Sequence, residues 1–128
     1  MLYTCVVEDE ELYDGVPVVE LPITEIDVPD PVHLRRSLRY PGEIDIEPAA
    51  AIEAALDQRG LIAHDPQSRT GEAVRVVGFS SIAGRLLVVV LLPDGHPPVG
   101  LWHLVTAWPA GRGLRAAYDA AAEEEMGE

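Results

Sequence analysis

The side chains best suited to chemistry in this 128-residue chain are arginines: all nine basic residues are Arg and none is Lys. A guanidinium group is planar, permanently charged and shaped to grip a phosphate or carboxylate through two parallel hydrogen bonds. Arg75 and Arg85 fall near the starts of two successive apolar runs, and Arg112 and Arg115 stand three residues apart in a helix-forming stretch. His103 lies in a third apolar run, and histidine is the side chain that titrates unperturbed near neutrality. Donors for an oxyanion together with a proton carrier are the ingredients of general acid–base chemistry at a phosphate. Each also has a plainer role. Arg75 and Arg85 mark exposed strand edges, His103 alternates with Trp102 and Leu104 as a surface residue, Tyr118 packs beneath a helix, and the absence of lysine follows from genome base composition.

These groups need elements to position them, and the pattern of apolar residues supplies candidates. Residues 74–79 and 86–92 are β-branched and apolar, joined by a short loop at residues 80–84, which predicts an antiparallel pair. The second run is apolar on both faces and should lie centrally. Residues 100–107 predict a third strand, ending in Thr106-Ala107-Trp108-Pro109. Residues 111–122 predict a closing helix with Leu114 and Tyr118 four apart. Upstream, residues 32–40 predict a short helix carrying Arg35, Arg36 and Arg39, stopped by Pro41-Gly42. A second helix is expected to open at Pro48 and run through residues 49–57, with Gly60 just beyond. Residues 2–7 and 16–21 read as a hairpin around Asp14-Gly15, and Pro22, Pro29 and Pro31 mark a linker.

Charge divides the chain into three parts. Residues 1–30 carry nine acids and no base, residues 119–128 carry five acids and no base, and residues 31–118 balance eight acids against nine arginines, within a net charge of −13. The expected organisation is therefore an acidic N-terminal segment over residues 1–30, an α+β domain over residues 31–118 and an acidic helix end over residues 119–128. A uniformly acidic protein would be repelled by nucleic acid, but the central part escapes that objection. The longest apolar run, residues 86–92, is far short of the ~20 residues that span a bilayer. No basic flank with a long apolar core follows Met1, so no membrane association and a cytoplasmic location are expected.

Several chemistries lack their motifs. The lone Cys5 offers neither an internal disulfide nor a thiolate metal site. His64-Asp65 and Asp94-Gly95-His96 lie beside prolines in turns without paired-ligand spacing, so no metal is expected. No nucleophile elbow, phosphate-binding glycine loop or dinucleotide fingerprint occurs. Asp45 and Glu47 precede Pro48, where negative charge favours a helix N-terminus.

The run from Gly71-Glu72-Ala73-Val74-Arg75-Val76-Val77-Gly78-Phe79-Ser80 through Gly84-Arg85-Leu86-Leu87-Val88-Val89-Val90 to Val105-Thr106-Ala107, followed by Ala110, Arg112, Arg115 and Tyr118, resembles the BrnT-type branch of RelE/ParE-like toxins. His33-Leu34-Arg35-Arg36 is similar to the basic first helix of that branch, so the likeness covers about residues 31–118. It implies an α+β fold in which an antiparallel sheet of three or more strands is covered by two N-terminal helices and one C-terminal helix. It also implies the toxin of a prokaryotic type II toxin–antitoxin pair, partnered by an antitoxin protein and acting on RNA or at the ribosome. Such a toxin is a metal-independent endoribonuclease without a cofactor. On this reading Arg75, Arg85, His103, Arg112 and Arg115 form the catalytic set, and Arg35, Arg36, Arg39, Trp108 and Tyr118 contact RNA. Cleavage would proceed by attack of a ribose 2′-hydroxyl on the adjacent phosphate.

One departure from the family pattern opens an alternative. Where such toxins carry two consecutive basic residues after the last strand, this chain has Trp108-Pro109. A ring can stack on a base for about 1–3 kcal/mol but cannot neutralise a phosphate. The alternative is a non-catalytic protein-binding module on a degenerate toxin scaffold.

Overall fold

Residues 12–13, 16–68, 71–95 and 98–126 are described by the structure, a computed structural model of the chain. The elements run β1 (Leu12–Tyr13), β2 (Val16–Pro17), a 3-10 turn (Val18–Glu20), β3 (Glu25–Asp27), two further 3-10 turns (Pro31–Leu34 and Arg36–Leu38), α1 (Pro48–Ala55), β4 (Leu61–His64), β5 (Val74–Ser80), β6 (Arg85–Pro93), β7 (Leu101–Pro109) and α2 (Arg112–Met126). Five strands form one sheet in the order β3-β7-β6-β5-β4. The ladders β4–β5, β5–β6 and β6–β7 are antiparallel, whereas β3 lies parallel to β7.

The residues of β5 and β6 explain the centre of the sheet. Both are rich in valine and leucine, and Leu86 through Leu91 are buried whichever face they point to, as a strand flanked on both sides must be. The turn between them closes at Gly84, whose φ of +70° suits a residue without Cβ. In β5, Val74 and Val76 face α1, while Arg75, Val77 and Phe79 face the other way. The core on this face joins Val74, Val76, Leu87, Val89, Leu91, Trp102, Leu104 and Ala107 of the sheet to Ala50, Ala51, Ala54 and Ala55 of α1 and to Val18, Leu34 and Ile46. Trp102 is fully buried, and its indole N–H donates to the Pro22 carbonyl at 2.7 Å, which satisfies the polar end of that ring.

A bulge in β7 divides this strand between two jobs. Strict alternation from Trp102 would put Leu104, Thr106 and Trp108 on the same face. The register instead shifts between Val90 and Leu91, which pair with Thr106 and Leu104 and leave Val105 as the extra residue. Trp102, Leu104 and Ala107 therefore point to the core, and Thr106 and Trp108 to the opposite face.

The expected arrangement of two N-terminal helices and one C-terminal helix over an antiparallel sheet is corrected on three counts. Among the described residues there are two α-helices, only one of them preceding the central strands. Residues 32–40 do not form an α-helix. Their backbone groups are taken by tertiary partners, with Ile46 N–H donating to Leu34 O at 2.8 Å and the Thr106 hydroxyl to His33 O at 3.0 Å, and Arg35 (φ −92°, ψ 70°) interrupts any helical run. The sheet is mixed, because the proline-rich stretch expected as a linker contains β3. Strands of three and four residues, β3 and β4, are too short to show a period in sequence. Of the expected N-terminal hairpin, residues 2–7 lie outside the described residues, and residues 16–21 form a two-residue strand followed by a 3-10 turn rather than one continuous strand.

The alanine face of α1 lets its C-terminal turn rest directly on β5. A Cβ added at Gly78 would overlap the Ala54 carbonyl oxygen and meet Asp57 Cβ at 3.1 Å. Gly78→Ala is expected to destabilise the protein by about 3 kcal/mol, as overpacking against backbone that cannot move does, measured as the shift of the urea midpoint. A loss within experimental error would mean that α1 is free to ride up.

Candidate anion-binding cleft

Beyond His103, where β3 ends its pairing, the flank of β7 is occupied by residues 31–40. Between that segment and the face of the sheet that bears Arg75 and Trp108 lies a cleft of about 680 Å³ lined by Arg35, Arg36, Arg39, Tyr40, Arg75 and Trp108, with His33, Gln67 and Thr106 completing its polar wall. Cross-strand register builds the sheet side: Arg75 pairs with Val90, Val90 with Thr106, and Val88 with Trp108. The 3-10 turn Arg36–Leu38 and the following Tyr40 build the other side.

Two guanidinium groups share one ring. The Arg36 and Arg75 guanidinium carbons stand 5.4 and 5.1 Å from the centre of the Trp108 ring, within cation–π range. Arg36 also lies 5.2 Å from the Tyr40 ring, and Arg39 lies 5.6 Å from it. Each shared arginine lies beside an acid: Arg36 Nε is 3.5 Å from a Glu43 oxygen, and Arg75 Nε is 3.0 Å from an Asp65 oxygen. Both Nε–H groups are nevertheless buried without an aligned hydrogen-bond acceptor, so these pairings are electrostatic contacts rather than directed bonds. Behind the turn, Ser37 N–H donates to Asp45 at 2.8 Å, and that bond holds the Asp45 carboxyl below its usual range, with a smaller contribution from Arg35.

Arg35, Arg36, Arg39, Trp108 and, from the expected catalytic set, Arg75 thus line one cleft, and the other expected site residues lie elsewhere. Arg85 is exposed at the start of β6, in a small depression beside Asp45, Glu47 and Ile82. Arg112 and Arg115 are exposed on the first turns of α2. The Tyr118 hydroxyl donates to Asp57 at 2.7 Å, tying α2 to the end of α1, and burial followed by the neighbouring carboxylate pushes its pKa up to about 12. Asp57 also accepts from Phe79 N–H and Arg59 N–H. Burial works to raise the Asp57 pKa, but those three hydrogen bonds outweigh it and hold the group ionised below its ordinary value.

His103 is held between two carboxylates. Its Nδ1 is 3.1 Å from Asp27 and its Nε2 is 2.8 Å from Asp94. Two acceptors facing both ring nitrogens require two N–H donors, which is the imidazolium form. The Asp94 hydrogen bond raises its pKa above the ordinary value, burial lowers it, and Asp27 adds to the rise. His103 is accordingly a charged clamp fastening β3 and the β6–β7 connection to β7, with no free nitrogen for proton transfer.

Sequence reasoning missed Tyr40 as a cleft residue, reading it only as the last residue of the expected helix before Pro41-Gly42. It also missed Glu53, which accepts from the Ser80 hydroxyl (3.0 Å), the Ser81 hydroxyl (2.7 Å) and Ile82 N–H (3.2 Å) and so braces the β5–β6 turn. Those partners lie far from Glu53 in sequence, and no local pattern signals them. Among the described residues no helix is long and apolar enough to cross a membrane. The chain matches no protein-family model, and no curated protein matches it significantly.

Because the folded His103 pKa is raised, its clamp stabilises the protein fully below the unfolded value of about 6.5 and loses that contribution as pH rises through the folded value. The urea midpoint is expected to fall on moving from mildly acidic to alkaline buffer, and His103→Gln is expected to flatten that fall. An identical pH profile for the two proteins would reject the clamp.

Proposed function

We propose that this chain is a non-catalytic recognition module whose arginine–aromatic cleft binds an acidic, partly apolar segment of another protein. The observation that carries the reading is the stacking of Arg36 and Arg75 on Trp108, with Arg35, Arg39 and Tyr40 beside them. A guanidinium held over an indole keeps its charge while losing little freedom when an anion arrives, and each such contact is worth roughly 0.5–2 kcal/mol. Around the cleft, Val32, Leu38 and Tyr40 are 50%, 63% and 46% exposed. Arginine and aromatic residues beside exposed apolar side chains are the composition of a protein-binding patch.

One consideration weighs against RNA cleavage. Phosphodiester cleavage needs a base, an acid and anion donors within reach of one phosphate. Here Arg75 lies in the cleft, Arg85 in a separate depression, Arg112 and Arg115 on α2, and His103 between Asp27 and Asp94. The toxin–antitoxin pairing implied by the sequence resemblance is a special case of this proposal, since an acidic antitoxin segment is such a partner. RNA cleavage is not part of it.

Fluorescence tests the cleft, because Trp108 is half-buried there and Trp102 is enclosed in the core. A short synthetic peptide alternating Glu with Leu is expected to change the emission saturably, with Arg39→Glu weakening its affinity about tenfold and Trp108→Phe removing the signal. An oligouridylate of equal length should bind more weakly and remain intact. Cleavage of the oligouridylate, or peptide binding indifferent to Arg39→Glu, would overturn the proposal.

A further inference from the structure

The cleft gathers more positive charge than a lone carboxylate can neutralise. Arg35, Arg36, Arg39 and Arg75 line one cavity, and a guanidinium stays charged at any pH the protein survives. Glu43 stands beside Arg36 and Asp65 beside Arg75, so four arginines against two acids leave an excess of two positive charges. Asp45 acts on Arg35 only weakly, because Ser37 N–H takes its carboxyl behind the turn. Arg39 is exposed and rests by the Tyr40 ring at 5.6 Å.

The donors also arrive from two walls. Arg75 comes from β5 and Arg36 from the 3-10 turn Arg36–Leu38, and the Trp108 ring positions both. Their Nε–H groups are buried beside the acids, so an anion in the cleft meets the terminal nitrogens. A carboxylate is planar, has two oxygens and is saturated by the fork of a single guanidinium. A phosphomonoester is tetrahedral, carries a charge near −2 at neutral pH and offers three terminal oxygens. It can accept from two forks at once and still from a neutral donor such as Gln67, which lines the same cleft.

We propose that the cleft reads phosphorylation: the anion it grips is the phosphomonoester of a modified side chain within the acidic, partly apolar segment of the partner. This rests on the proposed function and adds to it that modification of the partner switches binding on. Charge and donor geometry point to the phosphate, and the surroundings point to a polypeptide that carries it. A free phosphate ion would fill only a small part of a cleft of about 680 Å³ and would leave the exposed side chains of Val32, Leu38 and Tyr40 uncovered. A segment with apolar residues flanking the phosphate covers them.

Calorimetric titration of the full chain with peptides of one Glu–Leu sequence, bearing Ser, Glu or phosphoserine at the centre, tests the proposal. The phosphoserine peptide is expected to bind at least about tenfold tighter than the Ser peptide and about threefold tighter than the Glu peptide. Inorganic phosphate alone should bind at least about tenfold more weakly than the phosphoserine peptide. Arg75→Lys keeps the charge and removes the fork, and is expected to cut the phosphoserine-to-Ser preference to about threefold or less. Should that variant fail to fold by circular dichroism, Arg36→Lys takes its place. Equal affinity for the Ser and phosphoserine peptides would overturn this inference and leave the proposed function standing, whereas no binding of any peptide would remove both. A preference that the folded lysine variant retains in full would also overturn it. So would inorganic phosphate binding as tightly as the phosphopeptide, the mark of a small-anion site, or displacement of the phosphopeptide by an equal concentration of oligouridylate, the mark of a nucleic-acid site.

Discussion

The extra residue Val105 in β7 is the constraint on which the rest of the structure depends. Upstream of it, Trp102 and Leu104 point into the core, and downstream of it Thr106 and Trp108 point to the other face while Ala107 returns to the core. Strict alternation would send Trp108 to the same side as Trp102, into a layer built around alanines. The bulge allows one strand to supply both the largest core side chain and the ring on which Arg36 and Arg75 stack. The same logic binds β5, whose register must keep Val74 and Val76 under α1 for Arg75 to reach the cleft. A one-residue slip would bury a guanidinium against the alanine face.

Strength of pattern decided how much of this could be read from residues alone. The three central strands carry long runs of β-branched and apolar residues, and they occur as Val74–Ser80, Arg85–Pro93 and Leu101–Pro109. α1 was legible from Pro48 and its alanines, and α2 from its spacing of Leu114 and Tyr118. The edge strands were not, because Glu25–Asp27 and Leu61–His64 gain their structure from pairing with strands that lie distant in sequence. Residues 32–40 show the reverse error. Arg35, Arg36, Leu38 and Arg39 favour a helix locally, yet the carbonyls of His33 and Leu34 are claimed by Thr106 and Ile46. Tertiary partners outweighed propensity.

The grouping of the site residues was harder to read than the strands. An arginine in a strand points to one of two faces, and the face depends on register and on bulges that leave no local signal. Arg75 and Arg85 occupy neighbouring strands, but Arg75 pairs with Val90 and faces the cleft, whereas Arg85 pairs with Ser80, which lies on the helix side. His103 was singled out as a proton carrier, and it stands instead between Asp27 and Asp94 with both ring nitrogens engaged. Its location, next to the parallel edge strand, turns it to holding the sheet together.

Arg36 and Arg75 illustrate how a cleft stays receptive while being folded. Had Glu43 and Asp65 gripped these guanidinium groups through aligned bidentate hydrogen bonds, little would remain for a ligand, and removing either acid would leave a buried charge. Here the acids neutralise at 3.5 and 3.0 Å without directed bonds, and the Trp108 ring supplies position. Ring contact constrains a guanidinium through its face, and hydrogen bonding to an anion uses its edge, so the two do not compete. Placing the ring on a strand, rather than on a loop, gives that arrangement the rigidity of the three-strand ladder beneath it.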